Sequence, residues 1–266
     1  MSSPAEQIDA RPAAELSIAA LGGIPLVQPG DNIADLILHG IASSGLALQR
    51  GDVLVIAQKI VSKAEGRYVD LRTVTPSARA KALAIEVNKD ARLVELILRE
   101  STEVVRQRTG VLVVAHRCGV VLANAGIDAS NVGPGSDDNH VLLLPKDCNR
   151  SCHEIRARLA VRTGIEAGVL IIDSLGRAWR NGTVGVALGA AGLPALLDLR
   201  GKPDLFGREL RATQVGIADE IASAASLLMG QADEGTPVVL MRGLRFSDAD
   251  GSANDLIRAR ELDLFR

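Results

Sequence analysis

Apolar residues along this chain fall into two kinds of pattern, and each predicts a different element. Val53 to Ala57, Val169 to Ile172 and Pro237 to Arg242 are apolar runs of strand length, as expected for buried strands. Leu16 to Leu21 reads as the first strand and runs into Gly22-Gly23-Ile24-Pro25-Leu26-Val27, a loop with exposed backbone. Asp31 caps an amphipathic helix reaching about Ser44, with Ile33, Leu36, Ile37 and Ile41 on one face. Thr75-Pro76 starts another helix with proline in its first turn, and a further helix runs from Asp90 to about Val105. Val111 to Ala115 and Val120 to Ala123 are short strands joined by Arg117-Cys118-Gly119 as a hairpin.

Gly133 to Asn139 reads as an exposed loop and Val141 to Leu144 as a short strand. Ser151 caps a helix to about Thr163. Thr183 to Leu197 is rich in Gly, Ala and Val, which suits close backbone packing or loops beside a ligand. Arg208 to Met229 reads as one long helix stopping at Gly230, and the tail from Ser252 as a polar helix. Helices and strands mix without regular alternation, and there is no internal repeat or clear linker.

Chemistry enters at the strand ends. In NAGIDASNV, Asn124 to Val132, an apolar run leads into Asn124, Asp128, Ser130 and Asn131 around Gly126. Clustered carboxylate, amide and hydroxyl oxygens suit a hard cation and the phosphate it carries, although the same residues also build ordinary Asx turns. The run ending at Ile172 is followed by Asp173-Ser174, then Arg177 and Arg180. A carboxylate at a strand's carboxyl end lies where open sheets hold ligands, and arginine forks suit phosphate or carboxylate oxygens. Lys63 and Arg67, flanking Gly66 in SKAEGR just past the strand Val53 to Ala57, are further candidate phosphate partners. No GxGxxG, GxxxxGK[ST] or GxSxG pattern is present.

Composition narrows the field. The chain has 266 residues, a formal charge of −2 and only 2% aromatic residues, so neither nucleic acid nor an anionic membrane is an expected partner. No apolar run reaches the roughly 18 residues of a membrane span, and the N-terminus lacks a basic lead into an apolar core. Three cysteines, an odd number, fit a reducing, cytoplasmic setting. Cys148, Cys152 and His153 lack a second ligand pair for zinc and read as ordinary residues at a helix start. His39, His116 and His140 read as packing residues beside apolar runs.

Taken together, SKAEGR, NAGIDASNV, DSLGRAWRNGTVGVALG at Asp173 to Gly189, DLFGREL at Asp204 to Leu210, the stretch Ala218 to Val239 and RGL at Arg242 to Leu244 resemble the coenzyme F-420-0:L-glutamate ligase family. The resemblance spans Ile24 to Leu244 in the expected order. It implies an α+β fold peculiar to the family, a two-part subunit in an intertwined homodimer, with residues 1–15 a disordered lead-in and 16–266 the ligase domain. It also implies a GTP-dependent ligase joining L-glutamate to a deazaflavin acceptor, with two divalent sites for Mg2+ or Mn2+, and K+. The chain's end shortly after these motifs resembles the form without an added nitroreductase-like domain.

By the same resemblance, Ile24, Pro25, Leu26 and Val27, then Gln58, Lys59, Lys63 and Asn131, correspond to nucleotide contacts. So does the loop Met229, Gly230, Gln231, Ala232, Asp233, Glu234, Gly235 and Thr236. Asp128, Asp173, Ser174 and Gln231 correspond to metal ligands. Charge alone would favour Asp233 or Glu234 over Gln231. Lys63 and Arg177 are candidate electrostatic partners in catalysis, beside Asp128 and Asp173. No general base for the incoming amine stands out, and Glu65 is the carboxylate considered. The chain departs from the family at DCNRSC, Asp147 to Cys152, at Leu175 and Ala178, and in a longer loop around Asp137, Asp138 and His140. These departures flank the acceptor side, leaving open the acceptor and the number of glutamates. The alternatives are a ligase of the same mechanism with another carboxylate acceptor, or a non-catalytic nucleotide- or deazaflavin-binding protein.

Overall fold

A computed structural model describes residues 14–133, 137–246 and 250–264. In chain order the strands are β1 (Ser17–Ala20), β2 (Val53–Ala57), β3 (Tyr68–Asp70), β4 (Ser101–Arg108), β5 (Val111–His116), β6 (Val121–Ala123), β7 (His140–Leu142), β8 (Gly168–Arg177), β9 (Arg180–Ala191), β10 (Leu197–Asp198), β11 (Gln214–Val215) and β12 (Val238–Arg242). The helices are α1 (Ile33–Ser43), α2 (Gln58–Ala64), α3 (Ala78–Val87), α4 (Ala91–Arg99), α5 (Cys148–Thr163) and α6 (Ile217–Met229).

Five strands form the main sheet in the order β1-β12-β2-β8-β9. β2 and β8 are parallel, and the other neighbours are antiparallel. The apolar runs are continuous because helices cover both faces. Leu54, Ile56, Val169, Ile171 and Leu240 pack with α1 and α5, whereas Val53, Val55, Leu170, Ile172 and Met241 pack with α6. A smaller core joins α3 and α4 to the sheet β4-β5-β6. This mixed architecture is α+β.

Tertiary packing overrides several local expectations. Residues 101–108 leave the helical pattern and pair with β5, a course favoured by the β-branched Thr102, Val104 and Val105. Of the two readings of the glycines in Thr183 to Leu197, close backbone packing holds for Gly185 and Gly189, which belong to β9. A Cβ on Gly185 would meet Ala222 of α6, and one on Gly189 would meet the Cys148 backbone of α5, so bare backbone lets both helices close in. α6 begins only at Ile217, because Gln214–Val215 pairs with β10.

Several helix caps also move. The caps are Asn32 for α1, Ser77 for α3 and Asp147 for α5, not Asp31, Thr75 and Ser151. Asp31 instead accepts from the Gln28 N–H at 2.7 Å, and Ser151 Oγ donates to Glu65 at 2.6 Å. The tail forms two short 3-10 turns, Ala253–Leu256 and Arg260–Leu262, rather than a helix. Most of the expected lead-in (residues 1–13) and part of the expected loop (134–136) lie outside the described residues. Among the described residues no helix is long and apolar enough to cross a membrane.

Candidate active site

The parallel pair β2 and β8 creates a rim where one strand stops and the other continues. β2 ends with Ala57 opposite Ile172, and its chain turns directly into α2 at Gln58. β8 runs on through Asp173 and Ser174, paired only with β9 as far as Arg177 opposite Arg180. Gln58 and Asp173 therefore emerge at the same rim, at the carboxyl ends of parallel strands.

The segment after β6 supplies the second carboxylate. Asn124, Ala125 and Gly126 have φ values of 50°, 55° and 64°, a left-handed run that turns the chain inward. Ala125 is fully buried, and a Cβ on Gly126 would press on Leu144 at 2.9 Å. Asn124 Oδ1 accepts from the Leu112 N–H at 3.2 Å, so this amide supports β5 and is not offered to a ligand. Asp128 then pairs through its backbone with Leu142 at 2.9 and 2.8 Å.

From that anchored backbone the Asp128 carboxylate meets α2. Gln58 Nε2 donates to Asp128 Oδ2 at 2.9 Å, and Ser62 Oγ, one helical turn on, donates to Gln58 Oε1 at 2.9 Å. This fixes the buried amide's orientation. Lys59 Nζ lies 3.4 Å from Asp128 Oδ1 and donates to the Ser130 carbonyl at 3.3 Å. Asn131, at φ 54°, reaches the loop after α6 through Nδ2 and the Ala232 carbonyl, 3.4 Å.

Asp173 faces this group. Burial pushes its carboxyl up to about 7, and the nearby Asp128 charge adds to the rise. The Ser174 N–H, 2.8 Å from Oδ1, and the Lys59 charge oppose it. The Lys63 ammonium is pushed down by burial and by Lys59, with Asp128 partly opposing. Lys63 also lines a cavity of about 220 Å³ whose walls include Leu26, Val27, Tyr68 and Val132. Tyr68 and Ser62 were not singled out from the sequence. Tyr68 is the chain's one tyrosine, but only the fold sets it across from Lys63.

The remaining candidates are more dispersed. The Ile24 side chain packs over Gly40, Leu26 is 70% exposed, and Val27 is buried. Arg177 carries a buried Nη1 with no hydrogen-bond partner among the described residues. In the loop 229–236 the Glu234 carboxylate folds back over Gly230 and accepts from the Ala232 N–H at 2.9 Å. Gln231 and Asp233 are exposed, and Thr236 Oγ1 donates to the carbonyls of Leu228 and Met229, closing the end of α6. Glu65 is tied to Ser151 and to the Lys146 N–H at 3.1 Å, so its carboxylate braces α5 and is not a free base.

Among the described residues there is no group of three or more His, Cys, Asp or Glu side chains able to hold a metal. The two carboxylates nevertheless sit close enough to repel, and the Ser174 backbone N–H donates to Asp173 Oδ1. Such a hard-oxygen set fits a divalent cation, which would relieve the strain on Asp173.

A family model described as F420-0:Gamma-glutamyl ligase matches residues 23–243. A Methanothermobacter thermautotrophicus protein, "Coenzyme F420:L-glutamate ligase", is 47% identical over 253 residues, 94% of this chain and 99% of its own length. Proteins of the same name from Methanopyrus kandleri and Haloarcula marismortui are 47% and 40% identical, over 90% and 94% of this chain and 93% and 96% of their own lengths.

Proposed function

This chain belongs to the F420-0:gamma-glutamyl ligase family, and from that premise we propose that it is a GTP-dependent ligase adding L-glutamate to the deazaflavin precursor F-420-0, and further γ-linked glutamates after it. The observation that carries the reading is the convergence of Asp128, Asp173, Gln58 and Lys59 at the rim of β2 and β8, beside the Lys63 cavity.

A carboxylate resists attack by an amine because its carbonyl carbon is electron-rich. Transfer of the γ-phosphoryl group from GTP to the acceptor carboxylate makes an acyl phosphate and GDP. The glutamate amine then attacks the acyl carbon, phosphate leaves, and an amide forms. Lys59 and Lys63 project from one turn of α2 and hold phosphate oxygens by charge. The loops at 24–27 and 229–236 enclose the rest of the nucleotide, and the Asn131 bond to Ala232 ties the second loop to the Asp128 segment. Arg177, on β8 past Ser174, supplies a guanidinium for a substrate carboxylate or phosphate.

Asp128, Asp173, Ser174 and Gln231 would hold two divalent ions, with K+ nearby. When bound, such ions supply neutralisation of phosphate charge. Gln58, braced by Ser62, keeps the Asp128 carboxylate aimed at the rim.

The reading includes a homodimer. Trp179 at the β8–β9 tip is 89% exposed, and Leu205 and Phe206 in the β10–β11 excursion are 81% and 89% exposed, apolar surface that a second copy would cover. The test is mass spectrometry of the full chain incubated with deglutamylated deazaflavin, L-glutamate, GTP and Mn2+. Glutamyl mass increments with GDP release, abolished by chelator and restored by Mg2+ or Mn2+, are expected. No increment, or full activity in excess chelator, would overturn the reading.

A further inference from the structure

The turn between β5 and β6 carries a thiol for which the ligase chemistry has no use. Cys118 lies there partly exposed, whereas Cys148 and Cys152 are buried in the core under α5, and all three are free thiols. His116, 5% exposed, ends β5. Its Nδ1 is 3.0 Å from Cys118 Sγ. Its buried Nε2 faces the Glu100 carboxylate at 3.8 Å and has no hydrogen bond within 3.5 Å among the described residues. Glu100 is held in turn by Arg67 Nη2 at 2.8 Å.

A sulfur beside one imidazole nitrogen, with a carboxylate facing the other, lets the ring take the thiol proton while the carboxylate steadies the resulting cation. In the neutral ring Nδ1 accepts from the Cys118 N–H at 3.1 Å, which puts the ring proton on Nε2, on the Glu100 side, and makes Nδ1 the nitrogen that takes the thiol proton. We propose that Cys118 is a reactive thiol, activated by His116 and Glu100, that forms mixed disulfides with low-molecular-weight disulfides. In this step Nδ1 takes the thiol proton and Sγ attacks one sulfur of the disulfide. A protein–small-molecule S–S bond forms, the original S–S bond breaks, and the departing thiolate takes the proton from Nδ1. No external oxidant beyond the disulfide is consumed.

The surrounding charges agree. Burial opposes charge on His116, but the Cys118 contact and the Glu100 carboxylate outweigh that and hold it up at about 9. Burial raises the Cys118 thiol, yet the His116 contact and a Val120 backbone hydrogen bond bring it below the ordinary range. Arg67 and Arg117 act on Glu100 from beside it, and Cys148 on α5 lies within electrostatic reach of Cys118. Burial pushes Cys148 and Cys152 far up, which makes them internal controls.

The full chain is treated with limiting iodoacetamide between about pH 5 and pH 9, and separately with hydroxyethyl disulfide, and the modified cysteine is mapped by peptide mass spectrometry. One adduct, on Cys118, is expected with each reagent. The alkylation rate should stay high well below the midpoint of about 8.5 of a free thiol. His116→Asn should slow it by about 10- to 100-fold near pH 6.5, and the two rates should converge above about pH 9. Glu100→Gln should fall between. Equal labelling of Cys148 and Cys152, or a wild-type rate rising with the free-thiol midpoint, would overturn the proposal without any variant.

Discussion

Asp128→Asn separates what this carboxylate contributes to folding from what it contributes to turnover. The amide keeps the backbone pairing with Leu142 and can still accept from Gln58 through its oxygen. What disappears is the charge facing Lys59 at 3.4 Å. The gross attraction at that distance is about 5 kcal/mol at an effective dielectric of about 20. Both side chains are 27% exposed, so solvation and side-chain entropy leave a net of roughly 0.2–1 kcal/mol. Relief of the repulsion on Asp173 acts the other way. The expected change in stability is therefore within about 1 kcal/mol. The chemical loss is larger, because one preorganised charge at a phosphoryl-transfer site contributes on the order of 10²–10³ in rate, about 3–4 kcal/mol. Urea midpoints and glutamylation rates measured in one buffer decide the matter. Activity within about threefold of wild type would refute the catalytic role. An activity loss accompanied by destabilisation above about 3 kcal/mol would show that Asp128 acts through the fold.

Three further predictions concern the frame around the site. Arg242 makes two 2.8 Å bonds to Asp52, which is 1% exposed, and a third to the Ala47 carbonyl at 2.7 Å. Breaking a buried pair costs about 3–5 kcal/mol, less here because Arg242 is 33% exposed, so Arg242→Ala should lower urea stability by roughly 2–4 kcal/mol; a loss under about 1 would contradict this. Gly189→Val should cost at least about 1–3 kcal/mol by forcing α5 off β9, while Gly176→Ala, with nothing near the added carbon, should stay close to wild type; equal melting temperatures would sink the packing account. Glu95 is lowered from 4.5 to about 2 by the Ser77 hydroxyl and N–H and by Arg99. A depressed folded value stabilises fully above the unfolded one and fades as pH falls, so the wild-type advantage over Glu95→Gln should shrink between about 4.5 and about 2; a constant gap in urea midpoints across that window would refute the linkage.

The candidate site was legible in the sequence to an uneven degree. Asp173 stands out because a carboxylate directly after an apolar run has few structural reasons to be there, whereas Asp128 lay in a polar cluster that also suits an ordinary Asx turn. Asn124 looked equivalent, yet its amide serves the Leu112 N–H. Gln58 entered only through family resemblance, since an amide at the start of a helix carries no signal until Asp128, 70 residues on, is seen to receive its hydrogen bond. His116 read as a packing histidine because nothing local shows Glu100 behind its ring.

Apolar runs and ordered motifs were enough to locate β2, β8 and β12 and to identify the family. Burial on both faces leaves a continuous signature in composition, and several motifs in order are hard to produce by chance. The course of β4 and β9 and the late start of α6 came from pairing and packing between separate segments, whereas the caps Asn32, Ser77 and Asp147 are local bonds to N–H groups two or three residues on. Gly185 and Gly189 are the clearest case. Glycine in a linear sequence signals freedom, but between α6 and α5 it marks the places where two backbones touch a third. The meeting of Asp128, Asp173 and Lys59 has the same origin. Lys59 and Asp173 meet because β2 and β8 are parallel neighbours, and Asp128 joins them because its backbone pairs with Leu142, facts of topology and not of any local run of residues.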